Sequence, residues 1–125
     1  MESHRLVLPE HLNHFGYLFG GYLLKWVDEF AWVAATLDWP GKNFVTVGLD
    51  EVKFKKSVKK GTILRFHVEL SKQGRTSVEY KVTVFREDTG QGAEDIVFTT
   101  HVTLVHVDES GKKKMLPKRK SAGKN

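Results

Sequence analysis

The 125 residues include no cysteine, which excludes disulfides, thiolate catalysis and most structural zinc sites. No apolar run reaches membrane-spanning length, and the opening MESHRLVLP lacks the apolar core of a secretory signal. Neither anchor nor leader is expected, and the expected setting is cytoplasmic. Several nucleophile and phosphate motifs are missing as well: there is no GxSxG, Walker loop, GxGxxG or HExxH. The histidines at 4, 11, 14, 67, 101 and 106 lack metal-ligand spacing, so no metal is expected, and His11 and His14 suit surface or hydrogen-bonding roles.

Acidic residues are absent from the last 14 positions. Residues 1–111 hold 13 Lys and Arg against 15 Asp and Glu, whereas 112–125 hold 7 basic residues and no acid. The overall charge of +5 therefore belongs to GKKKMLPKRKSAGKN, expected to be a mobile basic tail after one domain at 1–111. A slightly acidic folded part with no basic-aromatic stripe argues against a nucleic-acid partner.

What is present begins with Leu18–Leu37, LFGGYLLKWVDEFAWVAATL, the one run with helical periodicity. Phe19, Leu23, Val27, Phe30, Ala34 and Leu37 share a stripe, while Tyr22, Trp26 and Trp32 lie off it. A helix apolar nearly all round is buried on more than one side, so one face is expected to meet this chain's own sheet and another a ligand or second subunit. Asp28 in its middle is too far from the helix start to be a cap. Two readings are open: a carboxylate solvated or paired with Lys25, or one held in an apolar cleft near Trp32 and suited to base chemistry. Gly20 and Gly21 are costly inside a helix and mark its first turn, where free amide N–H groups bind an oxygen carrying negative charge or simply pack tightly. Asn13, in the loop before them, suits orienting a water or closing a turn.

The rest reads as strand. His4–Leu8 fits an edge strand stopped by Pro9. Pro40 and Gly41 end the helix, and Phe44–Lys55 alternates through Val45, Val47 and Leu49 before changing phase to Val52 and Phe54, which predicts a bulge near Asp50 or Glu51. Leu64–Leu70 and Val78–Val84 alternate cleanly on either side of a QGR turn, EDTGQG marks another hairpin, and a last strand runs from about Asp95 to Val107. The fold class is α+β: a strand, a long helix, then about four antiparallel strands curving around it. Exposed sheet edges and the apolar helix predict at least a homodimer.

Pro9 with Asn13, Gly16, LFGGYLLKWVDEFA, VTVGLDEVKFKKSVKKG and the KQGRTS turn closely resemble the acyl-CoA hydrolase branch of the hotdog-fold acyl-CoA thioesterases, over residues 5–107. The resemblance implies a helix wrapped by a curved sheet, a dimer often assembled into a trimer of dimers, and active sites at the subunit interface. It places the catalytic aspartate, acting as general base on a water or attacking directly as nucleophile, on Asp28 and the catalytic asparagine on Asn13, from opposite subunits, with amides near Gly20 or Gly21 polarising the thioester carbonyl. Coenzyme A is expected around Lys56 and Ser57 and at Gly74, Arg75, Thr76 and Ser77, as part of substrate and product, with no separate cofactor. Tyr17 and Trp26 are bulkier than the residues usual there and are expected to narrow the acyl tunnel. A hotdog hydratase needs a histidine soon after its aspartate, and EFAWVAA has none. The remaining alternative is a non-enzymatic acyl-CoA sensor.

Overall fold

A computed structural model describes residues 1–87 and 94–119; residues 88–92 of the EDTGQG hairpin lie outside them. The elements are β1 (Glu2–Leu6), a 3-10 turn (Pro9–His11), α1 (Gly20–Asp38), β2 (Asn43–Phe54), β3 (Ile63–Gln73), β4 (Ser77–Glu87) and β5 (Ile96–Val107). All strand pairs are antiparallel, in the order β1-β3-β4-β5-β2. This is the long helix and curved sheet expected of a hotdog, with β1 two residues earlier than the sequence pattern indicated. No helix of the described residues is long and apolar enough to cross a membrane.

The helix buries Leu23, Trp26, Val27, Ala31, Ala34 and Ala35 against Phe66, Val82, Phe98 and Leu104 of the sheet. Full burial of each large apolar side chain contributes about 2 kcal/mol. This corrects the expected stripe: Phe19 and Leu37 are 53% and 66% exposed, and Trp26 is inside. Spacing finds one row of side chains, but on a helix apolar nearly all round it does not say which arc a concave sheet will cover. Trp26 packs edge-on against His11 and Phe66 in the core, so it does not line a tunnel. The side left uncovered carries Trp32 and Val33 and continues onto Val45 and Val47 of the edge strand β2.

β2 contains two irregularities. One shift falls between Thr46 and Gly48 and a second between Asp50 and Lys53, the latter containing Glu51 at φ 53°. The left-handed residue is held by His101 Nδ1, 3.1 Å from Glu51 Oε1, and by Thr100 Oγ1, which donates to the Asp50 carbonyl at 2.8 Å. The second bulge was legible as a phase change. The first was not: Val45 and Leu49, which share one alternation on paper, end on opposite faces.

Residues 112–119 are docked, which corrects the expectation of a free tail from residue 112. Leu116 is buried and its N–H donates to the Arg75 carbonyl at 2.8 Å. Trp39 Nε1 donates to the Pro117 carbonyl at 2.7 Å. Arg119 pairs with Asp38 at 3.3 Å, and Asp38 also accepts the Tyr80 hydroxyl at 2.6 Å. Net charge does not reveal that Leu116, set among five bases in 112–119, is buried.

Candidate active site

The loop before the helix is shaped by Asn13. Its Oδ1 accepts the N–H groups of Phe15 at 2.9 Å and Tyr17 at 3.1 Å, and Gly16, at φ +86°, donates its N–H to the Asn13 carbonyl at 3.0 Å. The side-chain oxygen is thus committed to the turn. The carboxamide NH2 is left as the group able to serve a ligand. Leu18 N–H donates to Val58 O and Phe19 N–H to His11 O, which aims the chain into the helix without a side-chain cap. The amides of Gly20 and Gly21 donate to no acceptor among the described residues. They sit at the positive end of the helix, where an oxygen gaining negative charge is stabilised.

A cleft of about 570 Å³ opens at this helix start, lined by Asn13, Tyr17, Gly20, Phe54, Lys56 and Ser57 among others. Tyr17, expected to narrow the tunnel, is on its wall. His11 turns away from it. Its Nδ1 accepts the Leu8 N–H at 3.0 Å while its ring lies edge-on to Tyr22 and Trp26, the hydrogen-bonding role expected of it. Lys56 is ion-paired with Asp95, which Arg86 also holds. The Lys56 ammonium, then Arg86, keep the Asp95 carboxyl below the usual carboxylate range.

Asp28 lies in a second cleft, of about 470 Å³, between the two outer strands of the sheet, with Arg5, Glu29, Trp32, Val33 and Thr46 around it. Its Oδ1 accepts the Thr46 hydroxyl at 2.5 Å; no ion pair to Lys25 forms among the described residues. Thr46 was not singled out from the sequence. Its hydroxyl reaches the helix because the strand is still in its first phase there, before the bulge at Val47. Arg5 pairs with Glu29 at 3.5 Å and stacks over Trp26, so the one guanidinium in this cleft is already engaged.

The predicted residues therefore fall in three places. Asn13, Gly20, Lys56 and Ser57 share the first cleft, with Gly21 beside Gly20 on the same helical turn. Asp28 is eight residues along the helix, about 12 Å at the helical rise. Gly74, Arg75, Thr76 and Ser77 form the β3–β4 turn, where Gly74 N–H donates to Ser77 O at 2.8 Å and His106 N–H to Thr76 O. That turn is at the other end of the strands, roughly 20 Å from the first cleft by strand rise. No cluster of metal-ligating side chains occurs among the described residues.

Residues 15–93 match the model of a family described as the Thioesterase superfamily. The chain is 33% identical over 113 residues to Protein VdlD of Helicobacter pylori, covering 90% of this chain and 64% of that one, so it spans somewhat under two thirds of that relative's length. Among solved structures it is similar to an acyl-CoA hydrolase from Staphylococcus aureus in complex with butyryl coenzyme A and coenzyme A (32% identity, TM-score 0.86, 94% of this chain and 71% of that one). It is also similar to a hexameric thioesterase from Yersinia pestis (28% identity, TM-score 0.84, 93% of each chain). Alanine mutants of the S. aureus protein were solved at an asparagine and at an aspartate fifteen residues apart, the interval between Asn13 and Asp28 here, and at a threonine.

Proposed function

We propose, on the footing that this chain belongs to the thioesterase superfamily, that it hydrolyses acyl-coenzyme A to a carboxylic acid and free coenzyme A at a site built from two subunits. The observation that carries the reading is the division of labour along α1. The donors, the Asn13 carboxamide NH2 and the first-turn amides at Gly20 and Gly21, line one cleft or its rim, while the Asp28 carboxylate, in the second cleft, is about 12 Å farther along the same helix. One chain cannot apply both to one carbonyl. A second copy, seated on the uncovered Trp32, Val33, Val45 and Val47 surface, supplies the missing half.

In this mechanism the thioester carbonyl oxygen accepts from the Gly20 or Gly21 amide, which stabilises the oxyanion formed on attack, a contact worth about 3 kcal/mol in acyl transfer. Asp28 of the other subunit removes a proton from water as the water oxygen bonds to the carbonyl carbon. Thr46 fixes one carboxylate oxygen and leaves the other for that proton. The Asn13 NH2 holds the water or the thioester. Collapse of the intermediate breaks the carbon–sulfur bond and releases coenzyme A as a thiolate that takes up a proton. No separate cofactor enters the balance, and coenzyme A arrives as part of the substrate. Lys56, Ser57 and the Gly74–Ser77 turn contact its pantetheine and phosphates. The setting is cytoplasmic, the assembly a homodimer or a trimer of dimers, and neither nucleic acid nor membrane is a partner.

Thiol release from acetyl-, butyryl-, octanoyl- and palmitoyl-CoA tests the activity; binding of all four without thiol release replaces the enzyme with an acyl-CoA sensor. The shared site has its own test. Co-expressed Asp28→Asn and Asn13→Ala subunits should recover roughly a quarter of wild-type activity, since half of randomly formed dimers are mixed and each mixed dimer has one intact site. No recovery would place both residues in sites of one subunit.

A further inference from the structure

The ring of Phe54 lies on the backbone of the first helical turn. A Cβ built on Gly20 would stand 3.3 Å from Phe54 Cε1 and 3.4 Å from Cζ, so the glycine is what lets the ring rest there. The ring is also backed from behind. It packs edge-to-face on Phe98, centroid to centroid 4.8 Å, and Phe98 is fully buried and cannot yield. The strand register pairs Phe54 with Phe98, and the next residue, Lys55, donates its N–H to Val97 O at 2.8 Å. Even so, 54% of Phe54 is exposed, and it lines the cleft that contains Asn13 and Gly20. It is a fixed aromatic wall beside free amide donors.

We propose that Phe54 is a specificity residue that selects unbranched over α-branched acyl groups by occupying the space beside the carbonyl-adjacent carbon. This rests on the reading of the Gly20 and Gly21 amides as the site of the thioester oxygen. An oxygen bonded to such an amide puts the acyl C2 atom within about 5 Å of the amide nitrogen, and the Phe54 ring stands 3.3 Å from the position of a Gly20 Cβ, two bonds from the Gly20 nitrogen. A straight chain passes along the ring face towards Leu18, Leu23 and Val58, which belong to the apolar lining of the cleft. A methyl branch on C2 projects sideways into the ring. Because Phe98 blocks retreat, the branched substrate must shift its carbonyl off the donors. A single misfitted methyl in an apolar pocket changes kcat/KM by about 10- to 200-fold.

The test compares kcat/KM for butyryl-CoA and its isomer isobutyryl-CoA, which have the same composition and differ only in the branch. Wild-type protein should favour butyryl-CoA at least about tenfold. Phe54→Ala should bring the ratio close to one by raising isobutyryl-CoA hydrolysis, and Phe54→Leu should fall between. If Phe54→Ala does not fold, Phe54→Leu decides alone. A wild-type ratio near one, or an unchanged ratio in the variants, overturns the proposal while leaving thioester hydrolysis intact. Wild-type protein that hydrolyses neither isomer overturns the underlying reading, and the proposal with it.

Discussion

The two ends of α1 are finished in opposite ways. The start has no side-chain cap, two consecutive glycines, and amides that donate to nothing among the described residues. The end is tied down four times: Trp39 N–H closes onto Ala35 O and its indole reaches Pro117, Tyr80 donates to Asp38, and Arg119 pairs with Asp38. Tyr80 is fully buried, and that burial, followed by its bond to Asp38, holds the phenol well above its ordinary range, which favours the neutral donor form. Unmet hydrogen-bonding capacity at a helix end costs stability unless a ligand or water uses it. The secured end offsets that cost and leaves the open end free for chemistry.

If that contrast is correct, changes near the open half should cost rate and changes at the closed end should cost stability. The largest effect is expected from Asp28→Asn, with kcat reduced about 10²- to 10⁴-fold and the thermal midpoint retained; a variant that unfolds instead would make Asp28 a structural residue. Leu116→Ala should lower unfolding free energy in urea by about 2 to 4 kcal/mol with kcat little changed, and a wild-type-like urea midpoint would mean the docked segment does not secure the helix. Asn13→Asp separates two roles of one side chain, because it preserves the oxygen that accepts from Phe15 and Tyr17 while removing the NH2. Loss of about tenfold in kcat/KM at unchanged stability is expected; unchanged kinetics would reduce Asn13 to closing its turn.

The smallest effect concerns Asp95, which holds Lys56 at the mouth of the first cleft. Its carboxyl lies below the usual range when folded, so its contribution is present above the unfolded value, about 3.9, and disappears as pH falls through the lower folded value. Urea midpoints measured between pH 5 and 2.5 should fall for the wild type and fall less for Asp95→Asn. Equal slopes would show that the pair with Lys56 does not persist in solution.

The fold was largely readable because period-2 alternation in β3 and β4 and one long 3.6-period run leave few alternatives. The helix start was readable too, since two glycines beside an apolar run have few other uses. Three features were hidden for distinct reasons. Thr46 owes its contact with Asp28 to strand phase, which a run of Val, Thr and Gly does not reveal. The arc of the helix that the sheet covers depends on sheet curvature, a tertiary property, so Trp26 was assigned to the wrong side. Leu116 was masked by its charged neighbours. The separation of Asn13 from Asp28 was implied only by resemblance, and helical rise gives it a physical cause.

The two bulges of β2 have a consequence for how this strand tolerates changes in length. Each adds one residue, and each reverses which face the following side chains take. Thr46, before the first, and Phe54, after the second, both reach the helix, because two reversals restore the original parity. Losing the one extra residue at either bulge would heal the ladder there and leave the flanking pairs Thr46–Leu104 and Phe54–Phe98, and hence their inward facing, as they are. This segment can therefore shorten by one or by two residues at the bulges with both side chains still facing inward, a tolerance that depends on where the extra residues sit and is indifferent to most of their identities.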